Sequence, residues 1–166
     1  GTATGVVLKS GETIEAKLVV SNPNAKHTFL KLVDERELPP EFLAEIRSYR
    51  TLSSAFKINL AVEEPPRYRA ADPARLGNAY PSYVHLGHSI DYLEKAYDDA
   101  KYGRWSERPF ITPVVPTIVD DTLAPKGKHV VNLFGGHAPY HLKEASWEQS
   151  KDAFFKTVVD TMTEFA

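Results

Sequence analysis

The chain opens with two short runs of β-branched apolar residues separated by a polar turn. Residues 4–22 read TGVVLKSGETIEAKLVVSN. Two such runs around Ser10-Gly11 are the pattern of a β-hairpin whose turn needs a glycine at positive φ. We therefore predict antiparallel strands at about residues 5–9 and 13–20.

Two short helices are predicted after this hairpin. Asn22-Pro23 is suited to cap and open the first helix, and Pro39-Pro40 is suited to start the second, because proline is favoured in a first helical turn. Both segments carry an apolar stripe at helical spacing. The stripes are Phe29, Leu30, Leu32 and Val33 in the first helix and Phe42, Leu43 and Ile46 in the second.

Two longer helices are predicted in the second half of the chain. Ser89 caps one of them, which ends at Gly103. Ser146 and Gln149 form a capping box for the other, which runs from Trp147 to about residue 165. Their predicted apolar faces are Ile90, Leu93, Tyr97 and Ala100, and then Phe154, Phe155, Val158, Val159, Met162 and Phe165.

Four further segments have the composition of strands, and one segment has that of a loop. Pro113 and Pro116 lack an N–H, so the strand that contains them is predicted to be an edge or irregular strand. Residues 63–81 are rich in proline, arginine and small residues without a period, which predicts a long loop. The strand segments are residues 54–62, 82–90 (where a strand leads into the helix capped by Ser89), 110–119 and 129–136.

The order of these elements indicates the fold class. Hairpins, antiparallel-looking strands and helices follow one another without a regular βαβ alternation. This order favours an α+β fold, with a mixed, largely antiparallel sheet covered by helices. A chain of 166 residues suits one domain, or one domain plus a piece of another.

Composition narrows the class of partner. A formal net charge of −2 lacks the basic excess that phosphate backbones attract, so nucleic acid is not expected as a partner. No apolar run approaches the roughly 20 residues that span a bilayer, and we expect a cytoplasmic protein. The absence of cysteine excludes disulfides and thiolate chemistry. Because Met162 is the only methionine, we expect a processed chain or a piece of a longer protein.

Metal binding is one candidate chemistry. His137 and His141 are four residues apart, and His85 and His88 are three apart, so the two pairs could converge on one ion. Pro139 interrupts the first pair, however, and no H-E-x-x-H pattern is present. The competing interpretation, polar histidines at strand ends and in loops, fits these positions better.

Other catalytic patterns are weak. The serines lack a G-x-S-x-G turn, and no G-x-G-x-x-G or G-K-[ST] loop occurs, so no catalytic residue is assigned. Asp98-Asp99 is predicted to be a solvated helix edge, because adjacent helical residues do not share a face. Asp120-Asp121 is predicted to fix backbone N–H groups in a turn.

Aromatic residues near strand ends could line an apolar pocket, although core and edge packing is the competing interpretation. They fall near strand ends or helix starts in the middle and late chain, and two of them lie in HVVNLFGGHAPYHL at residues 129–142, where Gly135-Gly136 permits a bulge or a close approach. The set is Tyr80, Tyr83, Tyr92, Tyr97, Tyr102, Trp105, Phe110, Phe134 and Tyr140.

Three segments together resemble a known family. DYLEKAYDDAKYGRWSERPFI, PTIVDDTLAPKGKHVVNLFGGHAPYHL and the tryptophan-led helix WEQSKDAFFKTVVDTMTEFA occur in this order. They resemble the C-terminal half of phytoene-desaturase-like FAD-dependent oxidoreductases, in the branch that includes pyridine nucleotide-disulfide oxidoreductase domain-containing protein 2. The hairpin GVVLKSGETIEAKLVVSN is similar to part of the FAD-binding lobe, although Lys17 stands where an acidic residue is usual.

The resemblance implies a division of the chain and a set of site residues. Residues 1–22 would be a remnant of the FAD-binding lobe, where Ser21 and Asn22 would contact FAD, and residues 23–166 would be the substrate-binding lobe. The substrate residues would be Phe134, His137 and Tyr140.

The expected function is that of a substrate-binding fragment of an FAD-dependent dehydrogenase or desaturase. FAD would be held by the full-length parent, because this chain lacks the family's glycine-rich motifs, and the chain alone would be inactive. Its partners would be a small apolar or amphipathic substrate and the FAD-binding lobe of the same polypeptide, with self-association through the exposed lobe interface. The alternative is a free-standing module that binds a hydrophobic ligand or a protein, without redox activity.

Overall fold

The structure, a computed structural model, describes residues 1–51, 54–77 and 79–166. The chain is of the α+β class that the element order predicts, and it divides into two compact units, residues 1–51 and 52–166. The assignment of residues 1–22 to an FAD-binding lobe stays a prediction.

The first unit begins with the predicted hairpin. Strands β1 (Gly5–Val7) and β2 (Thr13–Glu15) pair in antiparallel fashion, and Gly11 in the turn has a φ of +88°. This φ is the left-handed conformation that glycine adopts readily. Both strands are shorter than predicted, because the ladder of paired residues ends at Glu15.

The helical part of the first unit begins later than predicted. Helix α1 (Ala25–His27) is capped by Asn24, whose Oδ1 accepts a hydrogen bond from the His27 N–H at 2.9 Å. The predicted cap at Asn22 is therefore wrong. A π-helical turn follows at Thr28–Leu32, and extended backbone at Val33 excludes that residue from the helix.

Helix α2 (Pro40–Ser48) starts at the proline pair as predicted, after a 3₁₀ turn at Glu35–Glu37. Leu43 and Ile46 are buried on its inner face. The ring of Phe42 lies edge-on to the ring of Phe29, with centroids 4.9 Å apart. The apolar stripes of the two predicted helical segments therefore pack together within this unit.

The second unit is built on a three-stranded antiparallel sheet. Its strands are β3 (Ala55–Val62), β4 (Phe110–Val114) and β5 (His129–Gly136), in the spatial order β3-β5-β4. β3 and β5 coincide with strands predicted from composition. β4 ends at Val114, and a 3₁₀ turn at Pro116–Ile118 replaces the rest of the strand predicted at 110–119. The strand that contains Pro113 is an edge strand, as predicted.

The segment from 82 to 86 continues the sheet beside β4 without forming a regular strand. Leu86 exchanges both backbone hydrogen bonds with Ile111, and the Val84 N–H donates to the carbonyl oxygen of Pro113 at 3.1 Å. Pro113 has no N–H to return that bond. The predicted strand is therefore present as two isolated bridges, because one proline removes a bond from an otherwise continuous ladder.

Helix α5 (Trp147–Thr163) begins at Ser146, whose hydroxyl accepts a hydrogen bond from the Gln149 N–H at 3.4 Å. Three of its predicted apolar positions, Phe154, Val158 and Met162, are buried in the core of this unit. They pack with the even-numbered side chains of β3 and with Ile111, Val131 and Leu133. Residues 56, 58, 60 and 62 alternate with exposed neighbours, as a half-buried strand requires.

Helix α4 (Ile90–Lys101) corrects the sequence prediction on one point. Ser89 caps it as expected, with its hydroxyl accepting from the Tyr92 N–H at 3.1 Å. The buried positions are Tyr92 and Ala96, however, while Ile90, Leu93 and Tyr97 of the predicted face are exposed and Ala100 is half-buried. The Tyr92 hydroxyl donates to the Pro109 carbonyl at 3.0 Å, and this bond helps to turn the 92/96 side inward.

Residues 63–81 form a loop that contains one short helix, α3 (Pro73–Leu76), and Asn78 in this predicted loop lies outside the described residues. The Tyr80 hydroxyl donates to the Pro66 carbonyl at 2.8 Å, and the Arg69 N–H donates to the Phe165 carbonyl at 2.8 Å. These bonds attach parts of the loop to each other and to the C-terminus.

Gly135 and Gly136 allow a close approach between strands. The pairing of β5 stays in register through both glycines, so the bulge that was one of two expectations does not form. A Cβ added at Gly135 would overlap the Phe110 carbonyl oxygen and lie 2.9 Å from the Phe56 ring. A Cβ added at Gly136 would lie 2.7 Å from the Phe110 ring. The two glycines are therefore required by packing.

We expect Gly135→Ala to lower the free energy of unfolding by about 3 kcal/mol, because backbone must move to relieve the overlap. Gly136→Ala should cost less, since the nearest atom belongs to a ring that can shift. Gly87→Ala is the matched control, because its added Cβ would come closest to the end of the Leu93 side chain, at 3.1 Å, and would lie at ordinary contact distance from Phe110 and Tyr92. Urea unfolding of the three variants tests this order, and equal stabilities for Gly135→Ala and Gly87→Ala would contradict it.

Candidate functional site

One face of the three-stranded sheet packs on α5, and the other face does not. We call the second the open face, defined by the side chains of the odd-numbered β3 residues and the β4 and β5 residues paired with them. Thr112 is buried there, whereas Phe134 is 50% exposed. The rows across the open face are Ala55, Gly136 and Phe110; Lys57, Phe134 and Thr112; and Asn59, Asn132 and Val114.

The segment from 82 to 86 adds two rings beside these rows. The His85 Nδ1 lies 3.0 Å from the Thr112 hydroxyl, and the Tyr83 ring lies edge-on to the His85 ring, with centroids 5.1 Å apart. Phe134 and Phe110 contribute two further aromatic side chains to the same face. The open face therefore combines apolar rings with a few hydrogen-bonding groups.

His137 follows directly after β5 and is held by three side chains. Its Nδ1 lies 2.6 Å from the Ser54 hydroxyl oxygen. Its ring contacts Tyr97 and Phe110, with centroids 4.9 and 5.4 Å apart. These partners come from the residue before β3, from α4 and from β4, so the fold brings distant parts of the chain together at this imidazole.

Backbone hydrogen bonds fix the position of His137 further. The Ser106 N–H donates to its carbonyl oxygen at 2.8 Å, and the following Ala138 N–H donates to the Ser54 carbonyl at 2.6 Å. Burial lowers the pKa of His137 below its ordinary value, because the charged imidazolium loses hydration. A neutral imidazole can accept a proton or a hydrogen bond at one nitrogen while the other is engaged.

A cleft of about 760 Å³ is bounded by the first half of β3, by residues 138–148 and by α5. We call it the α5 cleft. Its volume falls within the roughly 300–1,000 Å³ that is usual for small-molecule sites. The rings of Phe56 and Phe154 lie edge-on to each other, with centroids 5.0 Å apart. The ring centroids of Trp147 and Phe154 are 5.5 Å apart. The apolar lining includes Phe56, Ile58, Leu142, Trp147, Phe154 and Phe155.

The predicted substrate residues occupy two places in the second unit. Phe134 lies on the open face, and His137 lies at the end of that face beside Phe110. Tyr140, which is 65% exposed, lines the α5 cleft. The structure does not bring the three side chains into one cavity, and their role in substrate binding stays a prediction.

The predicted cofactor residues lie in the first unit. The Ser21 hydroxyl lies 2.8 Å from the Thr28 hydroxyl, and both Ser21 and Asn22 are exposed. Their contact with FAD stays a prediction.

The other candidate chemistries can be compared with the structure. Among the described residues, no three His, Asp or Glu side chains come together in a way that could hold a metal ion. Asp98 is exposed and binds Lys101 at 2.8 Å, as a solvated helix edge predicts. Asp99 is instead half-buried, and its carboxylate accepts from the Arg104 side chain at 2.8 Å and from the Glu107 N–H at 3.3 Å. The Asp120 carboxylate accepts from the Thr122 N–H at 3.0 Å, which confirms its predicted role in a turn.

Membrane crossing by a helix has no support in the described part of the chain. There, no helix combines the length and the apolar character that crossing a bilayer requires.

Sequence reasoning missed several residues of these two places. No recognisable motif contains Ser54, Lys57 or Lys151. The pairing of β3 with β5 places Ser54 and Lys57 near the open face, and the position of α5 places Lys151 at the α5 cleft. Tyr97 and Phe110 belonged to the predicted aromatic set, but nothing in the sequence pairs them with His137.

Comparison with known proteins identifies the family. The chain is 36% identical over its whole length to pyridine nucleotide-disulfide oxidoreductase domain-containing protein 2 of Rattus norvegicus, covering 30% of that protein. It is 29% identical, over 98% of its length, to a neurosporene-forming phytoene desaturase of Cereibacter sphaeroides, covering 30% of it. The chain belongs to the phytoene-desaturase-like oxidoreductase family.

More distant members of this family also match. A chloroplastic prolycopene isomerase of Daucus carota is 28% identical over 81% of the chain, which covers 19% of that protein. No protein-family model matches the chain. The chain spans less than a third of the length of each of these family members, so a full-length family protein contains much that lies outside it.

We expect the buried, neutral His137 to make stability depend on pH. As pH falls below 6.5, the unfolded chain takes up a proton on this imidazole while the folded chain does not, so stability falls until the lowered folded pKa is passed. Melting temperatures between about pH 7.5 and 5 should therefore fall less steeply in His137→Gln than in the wild type.

The exposed His141 offers the matched control. The variant His141→Gln should keep the steeper wild-type dependence of melting temperature on pH, because the His141 side chain that it removes is exposed in the folded chain. Nuclear magnetic resonance titration of the ring protons reports the His137 pKa directly. A value at or above 6.5 would show that burial does not govern this group.

Proposed function

We propose that this chain is the substrate-binding part of an FAD-dependent oxidoreductase, and that the open face of its sheet lies toward the flavin. Family membership supports the reaction class, since relatives are named as oxidoreductases and as a phytoene desaturase. The observation that carries the proposal is the open face itself. A sheet that has its core on one side presents Phe110, Phe134, Tyr83 and His85 on the other.

The open face suits part of FAD better than the whole molecule. A planar isoalloxazine packs well against apolar rings and against a backbone surface without bulky side chains, such as the row that contains Gly136. The diphosphate of FAD needs a glycine-rich turn at a helix start, and the sequence has no such motif. We therefore assign the diphosphate to the part of the parent protein outside this chain.

Flavin, when bound, supplies the redox chemistry by accepting hydride from a substrate. The residues of this chain would position an apolar or amphipathic substrate and exclude water from the reacting carbon atoms. Phe134 and Tyr140 would supply apolar contact area. His137, held by Ser54 and flanked by Tyr97 and Phe110, would present a fixed, neutral imidazole at the end of the open face.

A second function, from a different class, is a binding module without redox activity. The α5 cleft favours this alternative, because its apolar walls are complete within one unit and need no flavin. The two functions differ in one simple observable, which is whether the full-length parent carries flavin.

We expect the full-length parent protein, purified without added cofactor, to show absorption bands near 370 and 450 nm, about where bound flavin absorbs. A folded, colourless protein that takes up no added FAD would contradict the proposal. The binding module without redox activity would then be the remaining function.

The open face offers a sharper test in the same full-length protein. Phe134→Lys should reduce the flavin retained after dialysis by about tenfold, because it brings a charge onto a face proposed to be covered by an apolar ring. Stability should fall by only about 1 kcal/mol, since Phe134 is half exposed in this chain and the new lysine would lie opposite Lys57. Val119→Lys is the matched control, because Val119 is exposed and lies outside the open face. Equal flavin retention in both variants would place the flavin elsewhere.

A further inference from the structure

We infer that Lys57 lies at the polar edge of the flavin ring and compensates the negative charge that the ring gains on reduction. The inference rests on the proposed function, because it concerns how the open face would hold the flavin. Three observations support it. They are the change in polarity along the open face, the position of Lys57 on that face, and the lack of a carboxylate beside the Lys57 amine in the described part of the chain.

The open face changes from apolar to polar along its strands. At one end, Gly136 and Phe110 are paired in the first row, with the His137 ring beside Phe110. At the other end, Asn59 and Asn132 are paired in the third row. Among the described residues, neither of these side-chain amides has a hydrogen-bond partner within 3.5 Å. One end of the face therefore suits an apolar ring, and the other suits a ligand edge with donors and acceptors.

Lys57 lies between these two ends. It occupies the second row, opposite Phe134, and its side chain is exposed. Its neighbours in β3, Phe56 and Ile58, are half-buried against the core on the α5 side, so alternation along the strand directs Lys57 to the open face. Within residues 1–51, 54–77 and 79–166, no carboxylate oxygen lies within 4.0 Å of the Lys57 amine. The charge of this amine is therefore available to a ligand.

The three strands bring no acidic side chain to the open face. Besides Lys57, they contribute only alanine, asparagine, glycine, phenylalanine, threonine and valine to it. His85, at the border of the face, is engaged through its Nδ1 with the Thr112 hydroxyl at 3.0 Å. The charge that the strands present on this face is therefore cationic, which favours a ligand that is negative or becomes negative.

The cation determines which half of the flavin ring would lie over it. An ammonium covered by an apolar ring would lose its hydration without compensation. The isoalloxazine has an apolar dimethylbenzene half and a pyrimidine half that carries ring nitrogens and two carbonyl groups. With the pyrimidine half toward Asn59 and Asn132, the long stem of Lys57 would bring its amine to polar atoms at the ring edge. The dimethylbenzene half would then lie toward Phe110 and Gly136.

This orientation gives Lys57 a role in the redox chemistry. Transfer of a hydride adds one negative charge to an uncharged ring, and in a reduced flavin this charge resides at N1 and the C2 carbonyl oxygen. A cation at that edge stabilises the reduced flavin more than the uncharged oxidised flavin. Lys57 would therefore favour hydride transfer from the substrate through its charge, without any contact with the substrate itself.

Reduction potentials of the full-length parent protein test this role. We expect Lys57→Met to shift the equilibrium about tenfold toward oxidised flavin, which corresponds to about 30 mV for a two-electron couple. The dissociation constant for sulfite should rise by about the same factor, because sulfite adds to flavin N5 and leaves a negative charge at the same edge. If a variant holds flavin weakly, the ratio of its dissociation constants for oxidised and reduced FAD gives the same quantity.

Two further variants separate charge from packing. Lys57→Arg keeps the charge and should stay within about threefold of the wild type in both measurements. Lys156→Met is the matched control, because it removes the same charge from α5, on the other face of the sheet, and should change neither quantity.

Replacement of FAD by 8-mercapto-FAD tests the orientation of the ring in the same protein. The negative charge of this analogue is shared between the sulfur, on the benzene half, and the C2 carbonyl oxygen, and its absorption spectrum distinguishes the two forms. A cation at the pyrimidine edge stabilises the second form, which we expect in the wild type and not in Lys57→Met. The sulfur-centred form in the wild type would overturn the inference.

Two other outcomes would also overturn it. They are a wild-type potential and sulfite affinity in Lys57→Met, and shifts as large as those of Lys57→Met in Lys57→Arg or Lys156→Met. The fate of the proposed function is read separately. A colourless parent protein would end both proposals. A parent that loses flavin in Phe134→Lys, yet keeps its potential in Lys57→Met, would retain the proposed function and end the role of Lys57.

Discussion

The second unit depends on the close contact that β5 makes with both neighbouring strands at Gly135 and Gly136. The side-chain space on the α5 side of Gly135 is taken by the Phe56 ring, and the space on the open side of Gly136 is taken by the Phe110 ring. Successive residues of a strand point to opposite faces, so two adjacent glycines admit one ring on each side of the sheet.

Each of these two rings belongs to one of the two candidate ligand sites, the α5 cleft and the open face. Phe56 continues into the aromatic walls of the α5 cleft through Phe154, and Phe110 continues into the open face through His137. The chain then crosses from one site to the other within two residues. His137 contacts Phe110 at the open face, and the next residue, Ala138, lines the α5 cleft. A single step of strand pairing therefore positions both sites.

Elements with strong local signals could be predicted from the sequence. Helix α5 has a capping serine and a long apolar face, β3 has strict alternation, and β5 is an apolar run that ends in glycine. The prediction for α4 had the right ends and the wrong face, because its sequence offers two apolar sides. The choice between them depends partly on a hydrogen bond from Tyr92 to Pro109, 17 residues away.

The site was less accessible to sequence reasoning, for a similar reason. Phe134, His137 and Tyr140 are close in sequence, yet alternation along the strand and the change of direction after it separate their surroundings. His137 meets Ser54 across 83 residues, and no local spacing encodes such a contact. Family resemblance identified the kind of protein, but only strand pairing determined which side chains share a surface.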